Sequence, residues 1–417
     1  MDRLFFAGNR RRLRQLAIWT DDHILVMFSG LPKRRSADED YGFYGNRNFA
    51  YMTGLTNADL VYLAWQQKGD WKEILFLPDT DPIYERWMGR MLHAEQVEPV
   101  SGIKETRSRK EFEGFFHRLV GGMCHPTVWL DFDPPSAGQE KEPAQQFADM
   151  LRRGYPYCRI ANCHGLLRQL RTIKQPQEIA NLRRSIDVTK EGIEAILREC
   201  RPGLYEYQLR AVFEKVLADH GFREPAFETI VGAGRNSLVM HYPEQDSVIR
   251  DGDMILIDLG AQCGFCGADI SRVFPANGHF TPRQKQLHEA SISTISYLCD
   301  RIRPGMSMRD IDRIGDENLA RKLEEMGLLE GGRTVEDYRW HTISHHLGFD
   351  THDDNDYGMP IAPGMVFTME VGVYVEDWGE GVRVEDNILV TEDGCENLSL
   401  HIPREIHEIE AVMAQAR

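Results

Sequence analysis

The sequence contains no apolar run of the roughly 18 residues that a membrane-spanning helix needs. It also has no excess of basic residues, because 49 Lys and Arg stand against 65 Asp and Glu, a formal net charge of −16. A nucleic acid needs a basic surface, so we expect none as a partner. The N-terminal stretch MDRLFFAGNRRRLRQL lacks the apolar core of a signal peptide. These absences predict a cytoplasmic protein without a membrane partner.

The eight cysteines are scattered, and a chain of 417 residues does not need disulfides to hold its core. Cys263 and Cys266 form a C-G-F-C motif that is also found in zinc knuckles and redox pairs. A structural zinc site needs four ligands, and the sequence has no second C-x-x-C. We therefore interpret the motif as a glycine-rich hairpin in a reducing compartment.

The length exceeds one typical domain, and 42% hydrophobic with 27% charged residues is an ordinary globular composition. In the first part, strand-like runs alternate with helical ones, which predicts an α/β domain. The predicted strands are 23–28, 59–65, 71–78 and 127–132, and the helices are 3–18, 109–120 and 142–154. We interpret residues 38–55, rich in glycine and aromatics, as an irregular surface loop.

Gln175-Pro176 interrupts the chain, and Pro176 is suited to the first turn of a new helix. We predict two domains, 1–168 and 169–417, the second of the α+β class. Its predicted helices are 176–198, 206–220, 282–301 and 307–327, and its strands are 227–234, 253–262, 267–275, 364–375 and 381–391. The tripeptide Arg-Pro-Gly occurs at 201–203 and 303–305, which indicates two related halves.

Four acidic residues lie in or beside apolar strands of the second part. Asp258 ends MILIDLG, and Asp269 begins the next strand, so an antiparallel pair joined by QCGFC would direct both into one cavity. Alternatively, Asp258 caps a turn and Asp269 lies at the surface. Glu370 lies in VFTMEVGV and Glu385 in GVRVEDNILV, where Arg383 shares its face. Arg383 can account for Glu385, but a buried Glu370 needs a cation or a proton.

Histidines cluster in WHTISHHLGFDTHDD, which contains His341, His345, His346 and His352, and His241 in LVMHYPEQ is a further candidate. His341 and His345 do not form the zincin motif, because no glutamate follows His341. One imidazole with four carboxylates gives five mostly hard ligands, which favour Mn, Fe or Co. Two such ions about 3.5–4 Å apart can share a bridging hydroxide that acts as a nucleophile.

The order Asp258, Asp269, His345, Glu370 and Glu385 resembles that of the pita-bread metallopeptidases, and the chain is most similar to their aminopeptidase P branch. The similarity extends over LRTIKQPQEIANLRRS, TIVGAGRNSLVMHYPEQ, IDLGAQCGFCGADISRVFPANGHFT, HTISHHLGFDTHD and GVRVEDNILVT. YGFYGNRNFAYMTGL and YERWMGRML in the first part resemble a domain that methionine aminopeptidase lacks. The resemblance implies a pita-bread catalytic domain that hydrolyses the N-terminal Xaa-Pro bond of peptides.

The resemblance also implies two divalent metal ions, manganese first, with cobalt, iron or zinc as alternatives. Their ligands would be Asp258, Asp269, His345, Glu370 and Glu385, with Asp269 and Glu385 bridging. A hydroxide between the metals would attack the carbonyl, and Glu370 would move the proton. His241 and His352 would hydrogen-bond the tetrahedral intermediate or the substrate.

On the substrate side, the resemblance implies that His341 lines the proline pocket with Tyr374, and that Arg383 lies behind the ligands. Trp87 would reach the site of a neighbouring subunit in a homodimer or homotetramer. We interpret His346 as a packing residue. The chain has Glu-Val-Gly at 370–372 where the family usually has Glu-Pro-Gly. This difference bears on the shape of the proline pocket and not on metal binding.

Three alternatives share the fold. Prolidase uses the same ligands but cleaves only dipeptides. Creatinase uses no metal, and non-catalytic binding modules of this fold are expected to have lost ligands. The presence of all five ligand residues argues against the last two.

Overall fold

The computed structural model describes residues 1–133 and 140–415. The chain forms two compact units, Met1–Leu170 and Arg171–Arg417, and the boundary predicted after residue 168 lies two positions from this division. No helix in the described ranges is long and apolar enough to cross a membrane.

The first unit is built on one six-stranded mixed sheet. Its strands are β1 His23–Phe28, β2 Val61–Gln67, β3 Asp70–Leu77, β4 Thr106–Ser108, β5 Thr127–Leu130 and β6 Arg159–Asn162. The order is β4-β3-β2-β1-β5-β6, with β2 antiparallel to both of its neighbours and the other pairs parallel. The helices are α1 Arg3–Leu16, α2 Arg47–Thr53, α3 Pro82–Met88, α4 Ala94–Ser101, α5 Phe112–Gly121, α6 Pro143–Gly154 and α7 His164–Thr172. Phenylalanines of α5 and α6 pack on the sheet, as expected of an α/β layer.

The interpretation of residues 38–55 as a surface loop is wrong for α2. The Asn46 side chain accepts a hydrogen bond from the Phe49 backbone N–H at 2.7 Å and so caps the helix. Gly54 ends it in the left-handed region, at φ 74°. Phe49, Tyr51 and Met52 are fully buried, because these side chains of α2 face the core.

The second unit contains long helices around small antiparallel sheets. Its helices are α8 Pro176–Glu199, α9 Glu206–Asp219, α10 Pro282–Cys299, α11 Met308–Glu325 and α12 Ile406–Ala414. Its strands are β7 Ile230–Ala233, β8 Met254–Leu259, β9 Gln262–Cys263, β10 Cys266–Gly267, β11 Ile270–Pro275, β12 Val366–Val375, β13 Glu380–Val390 and β14 Cys395–Asn397. They form the sheets β11-β8-β7 and β12-β13-β14 and the hairpin β9-β10.

The two Arg-Pro-Gly tripeptides occupy equivalent places in this unit. Gly203 follows α8 and Gly305 follows α10, and both have φ 94°. The Gly203 N–H donates to the Ile249 carbonyl oxygen, and the Gly305 N–H donates to that of Ile361, each at 2.8 Å. Two helices followed by antiparallel strands therefore occur twice, as the repeated tripeptide indicates.

Candidate metal centre

Asp258 and Asp269 lie on neighbouring strands. β8 and β11 pair antiparallel, with Asp258 opposite Ser271, and Asp269 immediately precedes β11. Both aspartates line one cavity of about 390 Å³. The antiparallel pairing that the sequence predicts thus brings the two carboxylates together.

The C-G-F-C motif forms the hairpin between these strands. Cys263 is the cross-strand partner of Cys266, and both are free and buried. The φ angles of Gly264 (50°) and Phe265 (79°) are both positive, the pattern of a type I′ turn. Phe265 stacks on Phe349 with ring centroids 5.2 Å apart, a contact that holds an unusual conformation for a bulky residue.

Glu370 and Glu385 are direct partners across β12 and β13. Like charges opposite each other on paired strands repel, so this pair needs a cation or a proton. The Ser271 hydroxyl on β11 donates to Glu385 Oε2 at 2.9 Å. This bond joins the sheet that carries the aspartates to the sheet that carries the glutamates.

His345 lies beside three of the carboxylates. Its Nε2 is 3.4 Å from Asp269 Oδ2 and 3.8 Å from both Glu370 Oε1 and Glu385 Oε1. Asp269, His345 and Glu385 each offer a ligand atom within 4.8 Å of the other two. His345 Nδ1 lies 3.1 Å from the His346 carbonyl oxygen, a bond that orients Nε2 toward the carboxylates.

The electrostatics of the cluster are dominated by negative charge. Burial raises the pKa of Asp269 well above its usual value, and the charges of Asp258 and Glu370 raise it further. Burial also raises the pKa of Glu385, with Asp269 and Glu370 adding to the effect. Arg383 donates to Asp258 Oδ2 at 2.6 Å, but one guanidinium does not balance four carboxylates.

The residues fit a divalent cation. Asp258 Oδ1 and Glu385 Oε1 are buried and have no hydrogen-bond partner within the described part of the chain. A buried carboxylate oxygen without a partner is costly, and a bound metal ion would satisfy such an atom. A set of carboxylate oxygens with one imidazole nitrogen suits manganese, iron, cobalt or zinc.

Two further histidines face this cluster. The His352 ring lies 4.3 Å from the His345 ring between centroids, and both His352 and His241 line the cavity. Burial lowers the pKa of His352, and the neighbouring His345 and His241 lower it further. The neutral imidazole of His352 can therefore donate a hydrogen bond to a substrate oxygen at neutral pH.

His341 and Tyr374 form a wall on the other side of Glu370. His341 Nε2 lies 2.9 Å from the Tyr374 hydroxyl oxygen, and His341 Nδ1 lies 3.5 Å from Glu370 Oε2. Arg383 Nη1 lies 3.2 Å from the same hydroxyl. A Cβ on Gly372 would stand 2.4 Å from His341 Nε2. Glycine is therefore required at this position of β12, where the His341 ring lies against the strand.

Two of the residues singled out from the sequence lie elsewhere. His346 packs against the rings of Tyr357 and Phe367, and burial lowers its pKa to about 4. Trp87 belongs to the first unit, on α3, where it is 84% exposed. Its predicted role in a neighbouring subunit stays a prediction.

The sequence interpretation missed two neighbours of the site. The Ser271 hydroxyl accepts a hydrogen bond from Arg383 Nε at 2.9 Å as well as donating to Glu385. Its position two residues beyond Asp269, on the same strand face, was a usable signal. Trp340 stacks on Tyr374 with centroids 4.9 Å apart, and only its place beside His341 could have indicated this.

Known families match both units. Residues 180–392 match the model of metallopeptidase family M24. Residues 6–129 match that of the aminopeptidase P N-terminal domain. The two matches together cover most of the chain and fall in separate compact units.

Individual relatives give the same result. The chain is 29% identical to the Xaa-Pro aminopeptidase of Escherichia coli over 94% of either protein. It is 30% identical to Xaa-Pro aminopeptidase 2 of Streptomyces coelicolor over 94% of this chain and 87% of that protein. A putative aminopeptidase P from Bacillus anthracis is similar in structure, with a TM-score of 0.96, 35% identity and coverage of 100% of this chain and 99% of that one. Zinc-substituted E. coli aminopeptidase P in complex with product has a TM-score of 0.91, 29% identity and the same coverage.

Proposed function

The chain belongs to metallopeptidase family M24, with an aminopeptidase P N-terminal domain and a catalytic domain of the pita-bread fold, and on this premise we propose that it hydrolyses the bond between an N-terminal residue and a following proline. The convergence of Asp269, Glu370 and Glu385 on His345, with Asp258 on the strand next to Asp269, carries the proposal. An Xaa-Pro dipeptidase is the alternative.

We assign five residues as ligands of two divalent metal ions: Asp258, Asp269, His345, Glu370 and Glu385. Asp269 and Glu385, which are close to His345 and deeply buried, would be shared by both ions. When bound, the ions polarise the scissile carbonyl and activate a water as nucleophile. Manganese is the proposed metal because the donors are mostly hard, and metal analysis of the purified protein tests this against cobalt, iron and zinc.

Glu370 is the proposed proton carrier. Its side chain is the most exposed of the four carboxylates, so it can reach both the attacking water and the leaving group. The nitrogen of an Xaa-Pro bond carries no hydrogen, and it leaves only after it receives a proton. Glu370 takes that proton from the water and delivers it to the proline nitrogen.

His241 and His352 are the proposed partners of the carbonyl oxygen. Both line the cavity that contains Asp258 and Asp269. A hydrogen bond from a positioned imidazole stabilises the negative charge that develops on this oxygen during attack. Their contribution is greater in the transition state than in the bound substrate.

His341 and Tyr374 are proposed to receive the proline ring. The two rings are held together by the hydrogen bond between them and backed by Arg383. A compact pyrrolidine can pack against such a wall without needing a hydrogen-bond donor.

A second subunit is proposed to complete the site through Trp87. The short helix α3 exposes Ile83 (67%), Trp87 (84%) and Met88 (56%). A cluster of exposed apolar side chains is typical of a protein contact, which supports a homodimer or homotetramer. Loss of activity in Trp87→Ala, without loss of bound metal, tests this role.

The cytoplasm is the proposed compartment. All eight cysteines are free thiols, and a reducing compartment keeps them in that state.

A substrate series tests the proposed function. The metal-loaded protein is incubated with Xaa-Pro-Yaa peptides, with Xaa-Pro dipeptides, and with matched Xaa-Ala-Yaa peptides. We expect release of the N-terminal residue from the proline tripeptides and little release from the alanine controls. Cleavage of dipeptides alone would establish the dipeptidase, and metal binding without cleavage of any peptide would refute the enzyme.

A further inference from the structure

Glu206 is a buried carboxylate outside the metal cluster. It is the first residue of α9 and is 0% exposed. Its Oε1 accepts from the Ala233 N–H at 2.7 Å and from Asn236 Nδ2 at 2.9 Å, and its Oε2 accepts from the Ser247 N–H at 3.0 Å. Three donors on one charged acceptor make a strong, directional anchor.

Two of the donors, Ala233 and Ser247, bound the segment that carries His241, and Asn236 lies within it. Ala233 ends β7, and the chain then runs through a short 3-10 helix, Gly234–Leu238, before an irregular stretch that ends at Ser247. The same end is tied again to α9, because the Glu206 N–H donates to the Ser247 carbonyl oxygen at 3.1 Å. Both ends of the segment are therefore held at one helix terminus, whose N–H groups would otherwise lack partners.

His241 lies within this anchored segment. Within the described residues its imidazole makes no hydrogen bond, and it lies exposed at the cavity. The adjacent Tyr242 is buried, and its hydroxyl oxygen is 3.0 Å from Asn236 Nδ2. Asn236 thus connects the Glu206 carboxylate to the residue next to His241.

We propose that Glu206 is a positioning residue that acts on the Xaa-Pro hydrolysis proposed above through His241. Replacing one carboxylate oxygen by the NH2 group of glutamine would leave at least one of the three donors without its acceptor and allow the segment to shift. A displacement of about 1 Å at a catalytic group can lower a rate by roughly 100-fold. We expect Glu206→Gln to lower kcat by about 10- to 100-fold, with a smaller change in KM.

A double-mutant cycle tests the connection. Glu206→Gln, His241→Ala and the double variant are compared with the wild type on one Xaa-Pro-Yaa peptide. If Glu206 acts through His241, the double variant is no slower than His241→Ala alone. Losses in kcat that multiply would overturn the inference, because general loosening of the domain acts whether or not His241 is present.

Matched variants separate positioning from stability. Glu178 is another buried carboxylate, 1% exposed, which accepts from the Gln175 N–H at 2.9 Å at the start of α8. We expect Glu178→Gln to lower the Tm and to leave kcat near the wild-type value. Glu206→Asp should recover part of the rate lost in Glu206→Gln.

Two further outcomes keep the inference distinct from the proposed function. If Glu206→Gln does not fold, the same cycle is run with Asn236→Ala, which removes one donor and keeps the carboxylate. Unchanged kcat in folded Asn236→Ala would then overturn the inference. A wild-type protein that cleaves no Xaa-Pro peptide refutes the proposed function instead.

Discussion

Glu370 and Glu385 face each other across paired strands, and His345 Nε2 lies 3.8 Å from an oxygen of each. Two carboxylates at such a position repel unless a positive charge lies between them. Asp258 on β8 and Asp269, immediately before β11, add to the repulsion, and burial raises the pKa of Asp269 and Glu385. Repulsion among these carboxylates therefore lowers the free energy of unfolding of the protein without metal.

Divalent metal should stabilise the fold through this cluster. At a metal concentration of 100 times the Kd we expect a gain of about 2.7 kcal/mol in the free energy of unfolding. Glu385→Gln should abolish most of this gain and should be no less stable than the wild type in chelator, because it removes one like charge. Thermal unfolding with EDTA and with added Mn²⁺ measures both effects.

A surface variant provides the control for the metal effect. Glu376→Gln changes an exposed carboxylate of a short 3-10 helix and should keep the full metal-dependent rise in Tm. Equal Tm values for the wild type with and without metal would contradict the assignment of the cluster.

Arg383 should contribute strongly to stability. It is buried and donates to Asp258, Ser271 and Tyr374. Arg383→Met would leave Asp258 without its ion-pair partner, and we expect a loss of about 3–5 kcal/mol in the free energy of unfolding in chelator. Denaturant titration of the metal-free proteins measures the difference.

Arg283 offers a comparison for that variant. Its ion pair with Glu380 is partly exposed, so Arg283→Met should cost only about 0–1 kcal/mol. Similar losses of stability in Arg383→Met and Arg283→Met would contradict the inference that burial makes the Arg383 ion pair the more important of the two.

Gly372 should be intolerant of any side chain. A methyl group there would meet His341 Nε2 and the Tyr374 ring, so Gly372→Ala must displace the proposed proline wall. We expect a rise in KM for Xaa-Pro-Yaa peptides with little change in metal content. Gly165→Ala, where no atom lies within 4 Å of the added carbon, should leave KM unaltered, and an unaltered KM in Gly372→Ala would refute the assigned pocket.

His288 should make stability depend on pH. It is fully buried on α10, its Nε2 lies 2.7 Å from the Arg404 carbonyl oxygen, and burial lowers its pKa from 6.5 to about 4. Because the pKa in the folded state is the lower one, the contribution is complete above pH 6.5 and is lost as the pH falls toward 4. This loss amounts to roughly 3 kcal/mol.

The slope of stability against pH checks this assignment. The free energy of unfolding of His288→Gln should fall less between pH 6.5 and 4.5 than that of the wild type. His407→Gln, at an exposed position of α12, should retain the wild-type slope. Parallel curves for all three proteins would contradict a neutral buried His288.

Much of the catalytic fold could be predicted because its signals are local. The runs around Asp258 and Asp269 alternate with turn residues, and the pairing of β8 with β11 follows from them. The helix α2 could not be recognised by composition, since its glycine and aromatic residues resemble a loop. Its signal was the capping pair Asn46 and Gly54, which mark a helix start and end.

The local sequence pattern did not indicate which of the histidines lies beside the carboxylates. His345 is placed by contacts with a distant strand: the Thr368 N–H donates to the His345 carbonyl oxygen at 2.8 Å, and the Glu370 N–H donates to that of Ile343 at 2.8 Å. These bonds align residues 343–345 with β12 and direct one imidazole to the carboxylates. Only the family resemblance singled out His345 beforehand.

The bond between Ser271 and Glu385 has a consequence for folding kinetics. It joins two sheets whose strands lie far apart along the chain, and contacts of large sequence separation form late. The proposed metal ligands come together only after these sheets have docked. Divalent ions should therefore leave the refolding rate almost unchanged and act chiefly by slowing unfolding.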